Sequence, residues 1–188
     1  MRTAYSYRYS RIENQILIEC HLSLPGDGAK ETDALKALWD TGAMCTCVSL
    51  AKAQELGLTQ VNTTQVMGAN NEPFDAPVFI VKLRMGKFEL PMIQVIGLPM
   101  ENAGHEVIIG MDIISKGDLA ITNFDGKTTI TFREPSMETI DFVAEIELYK
   151  KCCRIHDLNV RKGIPDKCAC GSGKEFKNCH GKSLYAKA

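Results

Sequence analysis

Two groups of side chains in this sequence have the types and spacing to do chemistry. The first lies in "KALWDTGAMCTCVSL", residues 36–50, where an apolar run meets a single carboxylate, Asp40, followed by Thr41 and Gly42. A carboxylate at the end of a buried strand is costly unless it is paired, hydrogen-bonded or protonated. Asp40 is therefore either a turn residue accepting local amide hydrogens or half of a carboxylate pair. Two carboxyl groups held close together share one proton, so one can activate a water while the other polarises a carbonyl. Glycine beside such a group permits close backbone approach. The second group is Cys168, Cys170, Cys179 and His180, in "CACGSGKEFKNCHG". Three thiolates and one imidazole at this spacing form a closed tetrahedral zinc site with no open position, which points to a structural metal.

The elements around Asp40 read as short strands separated by turn signals, a mostly β pattern. "NQILIECHLSL" is one strand, "ALWD" a second, and "CTCVSL" a third with Cys45 and Cys47 on one face and in the core. Ser49 is placed to cap a short helix, "LAKAQEL", closed by Gly57. "TTQVMGANNEPFDAPVFIVKLRM" reads as a long hairpin with its tip near Gly68 to Pro73. "EVIIGMDIIS" is an apolar strand broken at Gly110, with Asp112 as a helix cap, and "LAITNFDGKTTITF" is a hairpin about Asp125-Gly126. Trp39 is expected in the core. After Pro135 the pattern becomes ambiguous between strand and helix, and a helical connector is favoured. The expected organisation is a β domain over 1–135, a partly helical connector over 136–163 and a small zinc module over 164–188.

Net charge is −1, but from Lys150 onward ten Lys/Arg face only three Asp/Glu. An acidic body with a basic tail suggests modules with different partners. No apolar run approaches the length of a membrane helix and no signal-peptide pattern opens the chain, so a cytoplasmic protein without membrane contact is expected.

"WDTGA" at residues 39–43, the hairpin "MGANNEPFDAP" and the element Ile108-Ile109-Gly110 occur in an order that resembles the retropepsin-like aspartic proteases. The resemblance covers about residues 14–132. It implies a closed β domain that is one half of a homodimeric aspartic endopeptidase, with Asp40, Thr41 and Gly42 as catalytic residues. Gly68, Ala69, Asn70 and Asn71 would form a flap over a peptide or protein substrate, with Gly110 packed behind the catalytic loop. No second Asp-Thr-Gly or Asp-Ser-Gly occurs, so the second carboxylate is expected from Asp40 of an identical chain. Ala43, which cannot donate a hydroxyl hydrogen bond to an ionised carboxylate, points to work nearer neutral pH. A non-catalytic dimeric binding module of the same fold is the alternative.

The tail resembles the SEC-C motif, which implies Zn²⁺ on Cys168, Cys170, Cys179 and His180 and an adaptor role toward a protein partner. The basic charge also admits RNA or ribosomes, with less support, because few aromatic residues are interleaved for base stacking.

Overall fold

The structure is a computed structural model that describes residues 2–26, 28–67 and 72–182. The expected flap tip, Gly68, Ala69, Asn70 and Asn71, lies outside the described residues. The chain divides into two compact units, Met1–Met137 and Glu138–Ala188.

In chain order the first unit contains β1 (Thr3–Arg8), β2 (Leu17–Ser23), β3 (Leu35–Trp39), β4 (Cys47–Ser49), α1 (Leu50–Glu55), β5 (Asn62–Met67), β6 (Pro73–Met85) and β7 (Phe88–Leu98). It continues with β8 (Val107–Ile109), α2 (Met111–Ile114), β9 (Asp118–Thr122) and β10 (Thr129–Glu134). Six strands pair in the order β2-β3-β8-β4-β7-β6, and β6 pairs again with β2. The sheet thus closes on itself into a barrel, and β5 extends it outside through β6. Closure leaves those six strands without free edges. Alternation drives it. Ile18, Cys20 and Leu22 of β2 and Leu35, Ala37 and Trp39 of β3 are buried, while the residues between them are more exposed. The first unit is the mostly β, closed domain with a short helix that the sequence led us to expect.

A second sheet, β1-β10-β9, shares the same core. Phe132 of β10 packs its ring 5.3 Å from Trp39 and edge-on to Phe88 at 5.7 Å. Trp39 is a core residue, as expected.

Three expectations are corrected locally. Cys45 is exposed and precedes β4, so it shares neither a strand nor the core with Cys47. The reason lies in Ala43 and Met44, whose carbonyls accept from the start of α2, so that the strand begins only at Cys47. Ser49 occupies the N-cap position of α1, but its hydroxyl makes no capping bond. Asp112 lies inside the first turn of α2, where Gly110 takes the cap position. β1 was not read from the sequence, because its tyrosine-and-serine pattern becomes a strand only against β10.

The second unit is built on α3 (Phe142–Lys162), which resolves the ambiguous stretch as helix. The Asp141 carboxylate caps it, accepting from the N–H groups of Val143 at 2.9 Å and Ala144 at 3.0 Å. Gly163, at φ 65°, ends it in a left-handed turn. A small core of Cys152, Cys168 and Phe176 joins helix and cysteine-rich loop.

Candidate active site and metal cluster

Asp40 sits where β3 leaves the barrel. β3 runs parallel to β8, Trp39 opposite Ile109, and the Asp40 N–H extends that ladder by donating to the Ile109 carbonyl at 3.0 Å. The chain then turns sharply. The Gly42 N–H donates to Asp40 Oδ1 at 2.8 Å, and the Ala43 N–H donates to the Asp40 carbonyl at 3.2 Å. A Cβ on Gly42 would lie 3.1 Å from Asp40 Oδ1, tighter than most real contacts, so glycine keeps the carboxylate in reach of that amide. The arrangement fixes one carboxylate oxygen and leaves Asp40 half-buried. Thr41 is exposed, and its hydroxyl has no partner among the described residues.

A polar bracket holds the loop from behind. Thr46 is fully buried. Its Oγ1 accepts from the Gly110 N–H at 3.1 Å and donates to Asp112 Oδ1 at 2.8 Å. Asp112 Oδ1 also accepts from the Ile113 N–H at 3.0 Å. The Ala43 carbonyl accepts from the Met111 N–H at 2.8 Å, and the Met44 carbonyl from the Asp112 N–H at 3.1 Å. Residues 43–46 therefore lie directly over Gly110, where any Cβ would fall 2.5 Å from the Cys45 carbonyl carbon and 2.6 Å from its oxygen. Only glycine fits there, and Gly110 packs behind the Asp40 loop as the sequence led us to expect. On the other side, Glu106 ties β3 to β8. Its Oε2 accepts from the Lys36 N–H at 2.8 Å, and its own N–H donates to the Lys36 carbonyl at 3.0 Å.

Sequence reasoning missed Thr46, Asp112 as its partner, and Glu106. The one available signal was a threonine set among the apolar residues of "CTCVSL". Three other carboxylates of the first unit have places of their own. Asp112 serves the bracket, Asp125 lies in the turn between β9 and β10, and Asp75 pairs in register with Gln65 on the β5–β6 hairpin. The stem of that hairpin is regular up to Met67 opposite Pro73.

In the second unit, Cys168, Cys170, Cys179 and His180 bring their ligand atoms within 4.8 Å of one another. Cys170 Sγ lies 3.6 Å from Cys179 Sγ. His180 Nδ1 lies 3.2 Å from Cys168 Sγ and 3.4 Å from Cys179 Sγ. Thiolates 2.3 Å from a tetrahedral zinc stand about 3.8 Å apart, so the donors fit around one ion. Hydrogen bonds from the Ser172 hydroxyl and backbone hold the Cys170 thiol down to about 6, while burial and the neighbouring Cys170 and Cys168 sulfurs push the Cys179 thiol up. The platform is α3. His156 Nδ1 pairs with Asp166 Oδ2 at 2.7 Å, and the His156 ring stacks on Phe176 at 4.3 Å. Phe176 returns a backbone N–H to the Asp166 carbonyl at 3.0 Å. No described helix is long and apolar enough to cross a membrane.

No curated protein matches the chain in sequence. Among solved structures, it is similar to a retropepsin-like aspartic protease from Rickettsia conorii, at 15% identity and a TM-score of 0.45, over 71% of this chain and 96% of that one. It is also similar to EIAV protease complexed with the inhibitor HBY-793, at 17% identity and a TM-score of 0.40, over 57% of this chain and 90% of that one. A third is the retroviral protease-like domain of Ddi1 from Leishmania major, at 13% identity and a TM-score of 0.36, over 58% and 82%. The model of the aspartyl protease family matches residues 27–113, and that of the SEC-C motif matches residues 165–182. Asp40 and Gly110 thus fall inside the stretch that matches the aspartyl protease family, and the cysteine–histidine cluster falls inside the C-terminal stretch that matches the SEC-C motif.

Proposed function

We propose that the protein is an aspartic endopeptidase assembled from two identical chains. The observation that carries this reading is the fixed Asp40 loop. One carboxylate oxygen is held by the Gly42 amide, and the loop behind it is bracketed onto Gly110 by Thr46 and Asp112. Hydrolysis needs a second carboxylate, and a two-fold axis beside this loop would supply it as Asp40 of the other chain. One carboxylate, as general base, would take a proton from water. The other, protonated, would hydrogen-bond the scissile carbonyl and later hand its proton to the leaving amine. Thr41, with its exposed hydroxyl, would tie the two loops together, and Gly42 would orient Asp40. Residues 68–71 would close over an extended peptide.

The zinc module has a separate role in this reading. Cys168, Cys170, Cys179 and His180 would hold one structural Zn²⁺, and the folded module would recruit a protein partner or a substrate. All eight cysteines are free of disulfides, which suits a reducing compartment, and the cytoplasm is the location we propose.

The test is cleavage of a peptide library by the native chain and by Asp40→Asn, with dimerisation measured in parallel. General acid–base groups typically contribute about 10²–10⁴-fold. We expect the variant to lose at least about a hundredfold in rate while keeping its dimer. Equal cleavage by both would remove Asp40 from the chemistry. Cleavage by neither, with the dimer intact, would leave a binding module of the same fold.

A further inference from the structure

The first half of α3 carries an apolar face that no other described element of its own unit covers. Phe142 is 63% exposed, Val143 72% and Ile146 53%, and Cys152 is the only residue of the helix that is buried. Phe142, Ile146, Tyr149 and Cys153 follow one another at spacings of four, three and four, and Cys153, at the end of the row, also packs against the Cys152, Cys168 and Phe176 core. That 3.5-residue repeat makes the narrow seam of a two-stranded coil rather than the broad stripe of a helix lying on a sheet.

We propose that this segment pairs in parallel and in register with the same segment of a second copy of the chain. Charge placement selects the partner and its direction. With Phe142 and Tyr149 at d and Ile146 and Cys153 at a, Glu145 takes a g position and Lys150 the following e position. In a parallel pair, g of one helix meets e of the next heptad on the other. Glu145 of each copy then faces Lys150 of the other, twice per dimer. Of the remaining flanking positions, Val143 is uncharged and Cys152 is buried in the core of its own unit, so no like charges oppose the pairing. Antiparallel pairing sets g against g and e against e, and gives neither residue an opposite charge. Within one chain Lys150 contacts Glu147 at 2.8 Å, but both side chains are more than half exposed and such a pair is worth little. Lys150 can therefore exchange partners.

The seam spans less than two heptads, about 18 Å of helix, which is short for a coiled coil on its own. It acts as the second contact of a dimer. In this respect the inference rests on the two-fold pairing of Asp40 proposed above, because a parallel, in-register helix pair has the same symmetry. Two weak contacts linked in one chain strengthen each other through effective concentration.

Sedimentation equilibrium on the full zinc-loaded chain tests it. Ile146→Asp should raise the dimer dissociation constant at least about a hundredfold, since two buried isoleucines are lost. Glu145→Lys and Lys150→Glu should each raise it about three- to tenfold, and the double variant should return it to within about twofold of native. The charge variants leave the seam apolar, so they stand even if Ile146→Asp perturbs the helix. A native chain that stays monomeric, or charge variants with no restoration in the double, would overturn the proposal. So would an unchanged dissociation constant in Ile146→Asp accompanied by a lower melting temperature, which would assign the face to a contact within the chain. Peptide cleavage well above the dissociation constant separates the two readings. Helix-dependent dimerisation without cleavage counts against the peptidase alone, and cleavage with a helix-independent dimer counts against this pairing alone.

Discussion

Thr46 shows how much of the candidate site depends on one hydroxyl. It is buried, and it serves Gly110 and Asp112 at once. Thr46→Val keeps the shape but leaves the Gly110 amide without that acceptor and the Asp112 carboxylate without that donor. Leaving buried polar groups unsatisfied costs about 1–3 kcal/mol, and we expect a loss of that size in the denaturant midpoint multiplied by the unfolding slope. Cleavage should fall as well, because the Asp40 loop rests on the bracket. An unchanged midpoint would show that water replaces the hydroxyl. Asp40, Thr41, Gly42 and Gly110 were legible in the sequence because their types are unusual where they stand: an acid after an apolar run, and a glycine between apolar residues. Thr46 was not legible. Its meaning depends on residues 110 and 112, and no local pattern connects them.

At the scale of elements, strands with strict alternation were readable and the outer sheet was less so. β9 and β10 announced themselves through Asp125-Gly126, where Asp125 and Gly126 both take positive φ. β1 has no comparable turn before it, and it is defined by what it pairs with. α3 illustrates the opposite difficulty. Ile140, Phe142, Ala144, Ile146 and Leu148 alternate like a strand, yet the Asp141 cap and Gly163 stop bound a helix.

The end of β10 is pinned by one acid. Asp118 accepts from Arg133 Nε at 2.7 Å, Ser136 Oγ at 2.5 Å and the Met137 N–H at 2.8 Å. The hydrogen bonds from Ser136 and Met137, followed by that from Arg133, hold the Asp118 carboxyl well below its usual range. A carboxyl depressed in the folded state stabilises fully above its unfolded pKa, near 3.8, and that contribution is lost as pH falls below it. Thermal melts should therefore show the native protein losing stability below about pH 4 more steeply than Asp118→Asn. Parallel curves for the two proteins would remove Asp118 as a source of acid sensitivity.

For the whole molecule, the two compact units fold on different principles. Met1–Met137 buries a large apolar core, whereas the described residues of Glu138–Ala188 have a core of three, one of them Cys168 of the cysteine cluster. So small a core is marginal on its own, and a metal held by Cys168, Cys170, Cys179 and His180 would supply the missing free energy. Adding a strong chelator to the full chain should melt residues 165–182 and leave the β domain folded, read by amide hydrogen exchange, with short-peptide cleavage retained. Melting of the β domain would place the metal there instead. The bracket over Gly110 has a further consequence, for the newborn chain. Its bonds join residues 66 and 64 positions apart, and Lys36 reaches 70 positions to Glu106. During synthesis Asp40 is made long before the residues that lock its loop. Until Asp112 has been added the acid lies on unlocked chain, so a ribosome-bound fragment ending earlier carries the sequence of the site without its geometry.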